Sequence, residues 1–270
     1  RTWYSVCKLT PPYFFYFYDE GIFKMGDINK KNVFTVQNRN LVSPSLLIAE
    51  HSGNEIPSDL DNLGLSTTDR QRHISYDIGI KGVCEIASSL TSSRAIFSRY
   101  SRLVVDLNRH PLSNECIRTE SDGTLIPGNR ELSEAQKKTR INKYYKPFKA
   151  IVSDTINAIG PKYLLSLHSF TPKLLTEELE RPWHCGVLYD SAIHLATDCL
   201  GFLRSKQSII VGDNEPYGVN KKSGHTISIH GDERKIPAII VEIRQDLISH
   251  ERGQKTWGEL IAEMMKICFR

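Results

Sequence analysis

Three apolar runs of this chain each lead into a residue that can take part in hydrolysis. His51 lies just beyond the first run, His168 directly follows the second, and Glu242 directly follows the third. Imidazole nitrogens and carboxylate oxygens are the ligands of catalytic zinc sites, and a carboxylate can also accept a proton from water. These residue types predict a hydrolytic metal site, and therefore an enzyme.

The runs themselves indicate the elements that position these residues. Residues 45–49, 163–167 and 238–241 are short and apolar, which is typical of strands buried in an α/β sheet. Ligands and catalytic groups of such sheets collect at the carboxyl ends of the strands. We therefore expect the two histidines and the glutamate to meet at one edge of a sheet.

The rest of the chain alternates between strand-like and helix-like segments. Ser133 and Gln136 have the spacing of a capping box at the start of one helix. The alternation predicts one three-layer α/β domain, with a mixed, mostly parallel sheet flanked by helices. The predicted strands cover 42–49, 94–100, 163–167, 184–189 and 236–243, and the predicted helices cover 77–90, 133–158, 191–205 and 253–269.

Residues 1–24 differ in character from the rest of the chain. They are rich in aromatic residues, contain Pro11-Pro12 and have no clear period. We predict that they form an extension outside a single domain that spans 25–270, with Met25 as an internal start. An aromatic arm packed on the domain is the alternative.

Composition argues against several classes of protein. The formal net charge is +4 and the basic residues are scattered, unlike the dense basic stripe of a nucleic-acid-binding protein. No apolar stretch approaches the roughly 20 residues that span a bilayer. The 6 cysteines stand far apart without a CxxC pair, so we expect reduced thiols and a cytoplasmic protein.

Five sequence blocks carry a resemblance to a known family. They are HSGNEIP at 51–57, SRLVVDLNR at 101–109, HSF at 168–170, DNEPY at 213–217 and EIRQDL at 242–247. Together they resemble the N-formylglutamate amidohydrolase family, and an ordered set is more specific than one motif. The resemblance implies a zinc-exopeptidase-like (phosphorylase/hydrolase-like) α/β fold and hydrolysis of an amide on an acidic amino acid.

A catalytic zinc ion needs about three protein ligands and one open position. We assign two ligands to His51 and His168. The resemblance implies an acidic ligand after the first motif, and Asp77 fits that place. Glu55 is the alternative because a His-x-x-x-Glu spacing can reach one metal, while strand alternation turns Glu50 away from His51. We expect one zinc ion per chain.

Glu242 and Arg244 stand two residues apart on a strand and so share a face. We predict that Glu242 is the general base for water activated by zinc. Arg244 would contact substrate or support the site. The alternative is a structural Glu–Arg pair, which is costly in so apolar a strand.

A second polar cluster occupies residues 102–109. On a strand, Arg102, Asp106 and Asn108 would share one face and Arg109 would lie past its end. Arg102 and Arg109 can bind substrate carboxylates bidentately, with Asn108 beside them. Asp106 would orient a neighbouring Arg or a metal-bound His. An internal salt bridge is the alternative.

Two histidines lie in or near the polar, turn-rich stretch 212–230, whose composition is typical of substrate walls. We predict that His225 and His230 donate hydrogen bonds to the oxyanion formed during amide hydrolysis. A surface loop of no catalytic importance would have a similar composition.

Two classes of function remain open. The first is a zinc amidohydrolase that removes a formyl-type acyl group from an acidic amino acid such as N-formylglutamate, with a carboxypeptidase or wider deacylase as its neighbour. The second is a non-catalytic relative that binds a carboxylate ligand or a protein. The presence of His51, His168 and Glu242 favours catalysis on a small acidic acyl-amino acid, with no nucleic-acid or membrane partner.

Overall fold

A mixed sheet forms the centre of the computed structural model, which describes residues 33–41, 43–219 and 224–270. The strands are β1 (Phe34–Gln37), β2 (Ser45–Ala49), β3 (Arg94–Ser98), β4 (Glu120–Ser121), β5 (Thr124–Leu125), β6 (Tyr163–Phe170), β7 (Cys185–Leu188), β8 (Val211–Asp213) and β9 (Ala238–Arg244). Among the described residues, the sheet has seven strands in the order β1-β3-β2-β6-β9-β7-β8, and β4 and β5 form a separate hairpin.

The middle of the sheet is parallel. Strands β3, β2, β6 and β9 run in the same direction, whereas β1 is antiparallel to β3 and β7 is antiparallel to β9. All residues of β2 and nearly all of β6 and β9 are buried, which explains why these segments are continuous apolar runs. Their carboxyl ends lie at the same edge of the sheet, as predicted.

Helices cover both faces of the sheet. Residues 141–145 form a π-helical turn that joins two of the helices, and short 3-10 turns lie at 58–64, 114–116, 127–129, 232–234 and 245–247. The helices are α1 (Thr67–Arg70), α2 (Ile80–Thr91), α3 (Glu134–Arg140), α4 (Lys146–Ile159), α5 (Ile193–Arg204), α6 (His225–His230) and α7 (Glu251–Cys268).

Two apolar layers result from this arrangement. On one face, Leu47 and Leu165 of the sheet pack with buried side chains of α2, α5 and α7. On the other face, Ile48 and Leu164 pack with Phe148 and its neighbours on α4. Odd- and even-numbered strand residues are thus divided between the two layers, as strand alternation requires. The prediction of a three-layer α/β fold is confirmed.

The strand geometry considered for Arg102 to Asn108 is not formed, because the segment is a series of turns. The Ser101 hydroxyl donates to the Ser75 carbonyl at 2.7 Å, and the Asp106 carboxylate accepts the backbone N–H of Asn108 at 2.9 Å. Such local side-chain bonds to the backbone compete with strand pairing. Arg102, Asp106 and Asn108 therefore do not share a strand face, although the turns still bring them to the same region.

The predicted helix 133–158 corresponds to α3, the π-helical turn and α4 in succession. Its capping box is confirmed, because Ser133 and Gln136 exchange hydrogen bonds between side chain and backbone.

The predicted extension over 1–24 lies outside the described residues, and the division into extension and domain stays a prediction. Among the described residues, no helix has the length and apolar character that crossing a membrane requires.

Candidate metal centre and active site

Three buried side chains converge at the carboxyl edge of the sheet. His51 lies in the turn after β2, Asp77 lies just before α2, and His168 lies on β6. One ligand atom from each falls within 4.8 Å of the others, and the two imidazole centroids are 4.7 Å apart. The backbone N–H of Asp77 donates to the carbonyl of His51 at 2.9 Å, which fixes the two segments together.

The donor atoms of this His–Asp–His cluster suit a metal ion. Asp77 Oδ2 lies 2.8 Å from Nδ1 of His168 and 3.6 Å from Nδ1 of His51. Nδ1 of His51 is buried and has no hydrogen-bond partner among the described residues. A buried ring nitrogen without a partner is costly unless a ligand satisfies it. Two imidazoles and a carboxylate are a donor set that zinc accepts.

Asp77 and His168 each stabilise the charged form of the other, which shifts both pKa values. Burial alone would raise the pKa of Asp77, but its contacts with His51 and His168 hold the pKa well below the usual range. Burial would likewise lower the pKa of His168, but hydrogen bonds to Asp77 and Glu50 raise it well above the ordinary value. The carboxylates around His168 thus favour its charged form, which compensates for its burial.

Glu242 stands beside this cluster on the neighbouring strand. The register pairs it directly with His168, and both side chains point to the same face of the sheet. It is 7% exposed, and Oε2 has no hydrogen-bond partner among the described residues. Burial raises the pKa of this carboxyl, which brings its proton exchange closer to neutral pH. Such a group can accept a proton and return it.

A cleft of about 210 Å³ opens over the cluster and Glu242. Arg102, Asn108, Arg109 and Arg118 are part of its lining. Three guanidinium groups in one cleft repel each other, and the repulsion from Arg102 contributes to lowering the pKa of Arg118, behind the effect of burial. Asp77, Asp122 and Glu242 also line the cleft, so the guanidinium groups are local positions at which a carboxylate can bind bidentately, not a net positive field.

The sequence over residues 43–249 matches the family model of N-formylglutamate amidohydrolases. The chain belongs to this family. It is also similar to the gene product Atu2144 of Agrobacterium tumefaciens, with 31% identity and a TM-score of 0.84 over 88% of this chain and 95% of that one. An N-formylglutamate amidohydrolase from Ralstonia eutropha shares the fold, with 18% identity and a TM-score of 0.68 over 86% of this chain and 94% of that one. A search of curated proteins found no match.

For this amidohydrolase chain, the structure excludes Glu55 from the His–Asp–His cluster. The Glu55 side chain is exposed and pairs with Arg99, whose Nε lies 2.8 Å from Oε2. After His51 the chain turns to form a bridge between Glu55 and Tyr100, so the His-x-x-x-Glu spacing points the carboxylate outward. The structure brings Asp77, and not Glu55, together with the two histidines.

Arg102 is already engaged by carboxylates. Its Nε and Nη2 donate to Asp106 Oδ2 at 3.1 and 2.7 Å, and Nη1 lies 3.4 Å from Asp77. Asp106 in turn places Oδ1 2.7 Å from Nε2 of His51, so it contacts both partners that the sequence offered as alternatives. Arg109 donates to the Asn108 carbonyl at 3.2 Å, and Arg118 pairs with Glu115 at 2.5 Å, so neither is held by the carboxylates that engage Arg102.

Three predicted substrate-binding residues do not line the cleft of this family member. Arg244 donates to Asp246 at 2.8 and 3.2 Å, which favours a supporting role. His225 packs edge-on against His110, with ring centroids 5.2 Å apart. His230 is the last residue of α6 and is buried, and both of its ring nitrogens lack a partner among the described residues. The oxyanion role of the two histidines stays a prediction.

Arg118 and Tyr217 are among the cleft-lining groups that sequence reasoning missed. Arg118 lies outside every motif, and no local signal marks it. Tyr217 ends the DNEPY block, and its hydroxyl accepts a hydrogen bond from Arg181 at 2.6 Å. Because Arg181 supplies that hydrogen, the Tyr217 hydroxyl keeps its own hydrogen for a ligand. Its place in the block was the signal that could have found it.

Proposed function

We propose that this protein is a zinc-dependent amidohydrolase that removes the acyl group from an N-acyl acidic amino acid such as N-formylglutamate. The observation that carries the proposal is the pairing of His168 with Glu242 across two parallel strands, beside Asp77 and His51. A proton acceptor thereby stands next to a set of metal-ligating atoms. Membership of the N-formylglutamate amidohydrolase family supports the same reaction.

His51, Asp77 and His168 would hold the zinc ion. Zinc in such a site acts as a Lewis acid and makes water a nucleophile near neutral pH. Glu242 accepts a proton from the water while the water oxygen attacks the amide carbon. The same carboxyl then gives a proton to the leaving nitrogen as the C–N bond breaks, which releases a carboxylic acid and a free amino acid.

The guanidinium groups of the cleft would select the acidic amino acid. Arg109 lines the cleft without an ion pair among the described residues and would meet a substrate carboxylate, and Arg118, which pairs with the exposed Glu115, would add a second contact. Asn108 is held in place because its Oδ1 accepts the backbone N–H of Thr226 at 3.0 Å. Its amide nitrogen lies 3.4 Å from Nε2 of His168, at the edge of the site.

The experiment combines metal analysis with a substrate panel. We expect about one zinc per chain, and hydrolysis of N-formylglutamate in preference to N-acetylglutamate and N-formyl-leucine. The first comparison tests the acyl group and the second tests the acidic side chain. Absence of bound metal after zinc supplementation would refute the zinc site. Binding of acidic ligands without turnover of any substrate would instead identify a non-catalytic relative.

A further inference from the structure

Glu50 is a completely buried carboxylate that lies behind the candidate metal centre. It is the first residue after β2 and is 0% exposed. Ile48 pairs with Ser166 in the sheet, so alternation places Glu50 on the same face as Ser166 and His168. A carboxylate this deep costs free energy unless its partners compensate for the loss of water.

Among the described residues, Glu50 contacts a proposed metal ligand, His168, and a serine hydroxyl, and it forms no salt bridge with an arginine or lysine. Its Oε2 lies 3.2 Å from Nε2 of His168 and accepts the hydroxyl hydrogen of Ser166 at 2.8 Å. The Ser166 oxygen is then left as an acceptor, 3.0 Å from the same Nε2. Asn108 Nδ2 is also near Nε2, but at 3.4 Å it is the most distant of the three groups. Two acceptors therefore face Nε2, which favours a hydrogen on that nitrogen.

The other histidine of the centre has the same arrangement. Nε2 of His51 lies 2.7 Å from Asp106 Oδ1, while its Nδ1 faces Asp77. Each imidazole thus has a carboxylate on Nε2 and turns Nδ1 toward the shared Asp77. The repetition argues that Glu50 does for His168 what Asp106 does for His51.

We propose that Glu50 is a positioning residue, which accepts the Nε2 hydrogen of His168 and so directs Nδ1 of that histidine to the metal. The proposal rests on the proposed zinc site. Carboxylates behind metal-bound histidines fix the tautomer and ring orientation and raise ligand basicity. Lys149 interacts electrostatically with Glu50 from α4, which offsets the charge that the sheet buries.

The first test needs no substitution. In the zinc-loaded protein, the side-chain ¹⁵N shifts of His168 report which nitrogen carries hydrogen and which binds the metal. We expect hydrogen on Nε2 and zinc on Nδ1. The opposite tautomer, with hydrogen on Nδ1, overturns the proposal even if no variant can be purified.

The second test measures zinc affinity by competition with a chelator. Glu50→Gln keeps the shape and removes the charge, and we expect zinc to bind about 10–100-fold more weakly. Glu55→Gln is the matched control, because Glu55 is exposed and pairs only with Arg99 among the described carboxylate contacts; its affinity should equal that of the wild type. The melting temperatures of the metal-free variants are compared with that of the wild type. An unchanged melting temperature shows that a loss of zinc affinity is not caused by unfolding.

The outcomes separate the two hypotheses. A wild-type protein that binds no zinc refutes the metal site and this inference together. A wild-type protein that binds zinc, with Glu50→Gln equal to it in affinity and in the His168 shifts, refutes only the role of Glu50. In that case the carboxylate merely ties β2 to β6.

Discussion

At the scale of single residues, Glu242 carries the chemistry of the proposed reaction. Glu242→Gln should keep the fold and the zinc content but lower kcat by at least about 100-fold, because a positioned proton-transfer group contributes on that scale. Steady-state kinetics, metal analysis and thermal unfolding of the same preparation check the prediction. Near-normal turnover in this variant would show that Glu242 is structural.

The arginines of the cleft should behave differently from Glu242. Arg109→Ala and Arg118→Ala should raise KM for acidic substrates with a smaller effect on kcat, because a charge clamp binds the ground state and transition state alike. Kinetics with N-formylglutamate and N-formyl-leucine measure the effect. Arg244→Ala is the comparison, since Arg244 pairs with Asp246 outside the cleft lining. An equal rise of KM for the acidic and the apolar substrate contradicts the prediction.

Residue types and strand ends were enough to predict the convergence of His51, His168 and Glu242. From the alternation rule we also expected Glu50 to turn away from His51. What the rule could not show is that Glu50 then meets His168, because that contact depends on the register of β2 against β6. Arg118 could not be predicted for a similar reason, since turns with no periodic pattern bring it to the cleft.

At the scale of elements, two glycines on helices offer a matched test of packing. A Cβ at Gly258 of α7 would lie 2.7 Å from Ile86 of α2, whereas a Cβ at Gly201 of α5 would meet nothing within 4 Å. Gly258→Ala should lower the free energy of unfolding by about 1–3 kcal/mol through overpacking. Gly201→Ala should raise it by up to about 1 kcal/mol through helix propensity.

Denaturant unfolding of both variants measures these changes. The two substitutions are chemically identical, so opposite signs isolate the contact between α2 and α7. If both variants are stabilised, the helices can separate to admit a methyl group and the close approach is not needed for stability.

Periodic elements were predictable and aperiodic ones were not. Strands β2, β3, β6, β7 and β9 and the long helices follow the patterns of apolar residues, and their predicted bounds differ from the structure mainly at the ends. Strands β1 and β8 were not predicted. Residues 101–108 contain Leu103, Val104 and Val105, which resemble a strand. The segment nevertheless forms turns, in which the Ser101 hydroxyl donates to a carbonyl and the Asp106 carboxylate accepts a backbone N–H. Such bonds depend on partners such as Ser75, which no local window of sequence includes.

At the scale of the whole molecule, a buried histidine should make stability depend on pH. His230 is 3% exposed. Burial, with repulsion from Lys149 and Arg234, lowers the pKa of His230 to about 3, against about 6.5 in an unfolded chain. Below about pH 6.5 the unfolded state binds a proton that the folded state does not. Stability contributed by neutral His230 is therefore lost as the pH falls from about 6.5 toward 3.

The prediction is tested with metal-free protein from about pH 7 to about pH 5. His230→Gln should show a shallower loss of unfolding free energy than the wild type, with a difference in slope of up to about 1.4 kcal/mol per pH unit. His194→Gln on α5 is the control, because His194 is exposed and its curve should parallel that of the wild type. Identical slopes for wild type and His230→Gln would mean that His230 takes up its proton at the same pH in the folded and unfolded states.

The order of strands in the sheet also determines when the site can form during folding. Neighbouring strands β2, β6 and β9 are far apart along the chain, as the pairs Ile48–Ser166 and His168–Glu242 show. Long-range pairings carry a large loop-closure entropy and slow the folding reaction. His51 and His168 are brought together by the pairing of β6 with β2, whereas Glu242 is brought to His168 by the pairing of β9 with β6. The candidate site is therefore complete only when both long-range pairings have formed, and a species with one of them carries only part of it.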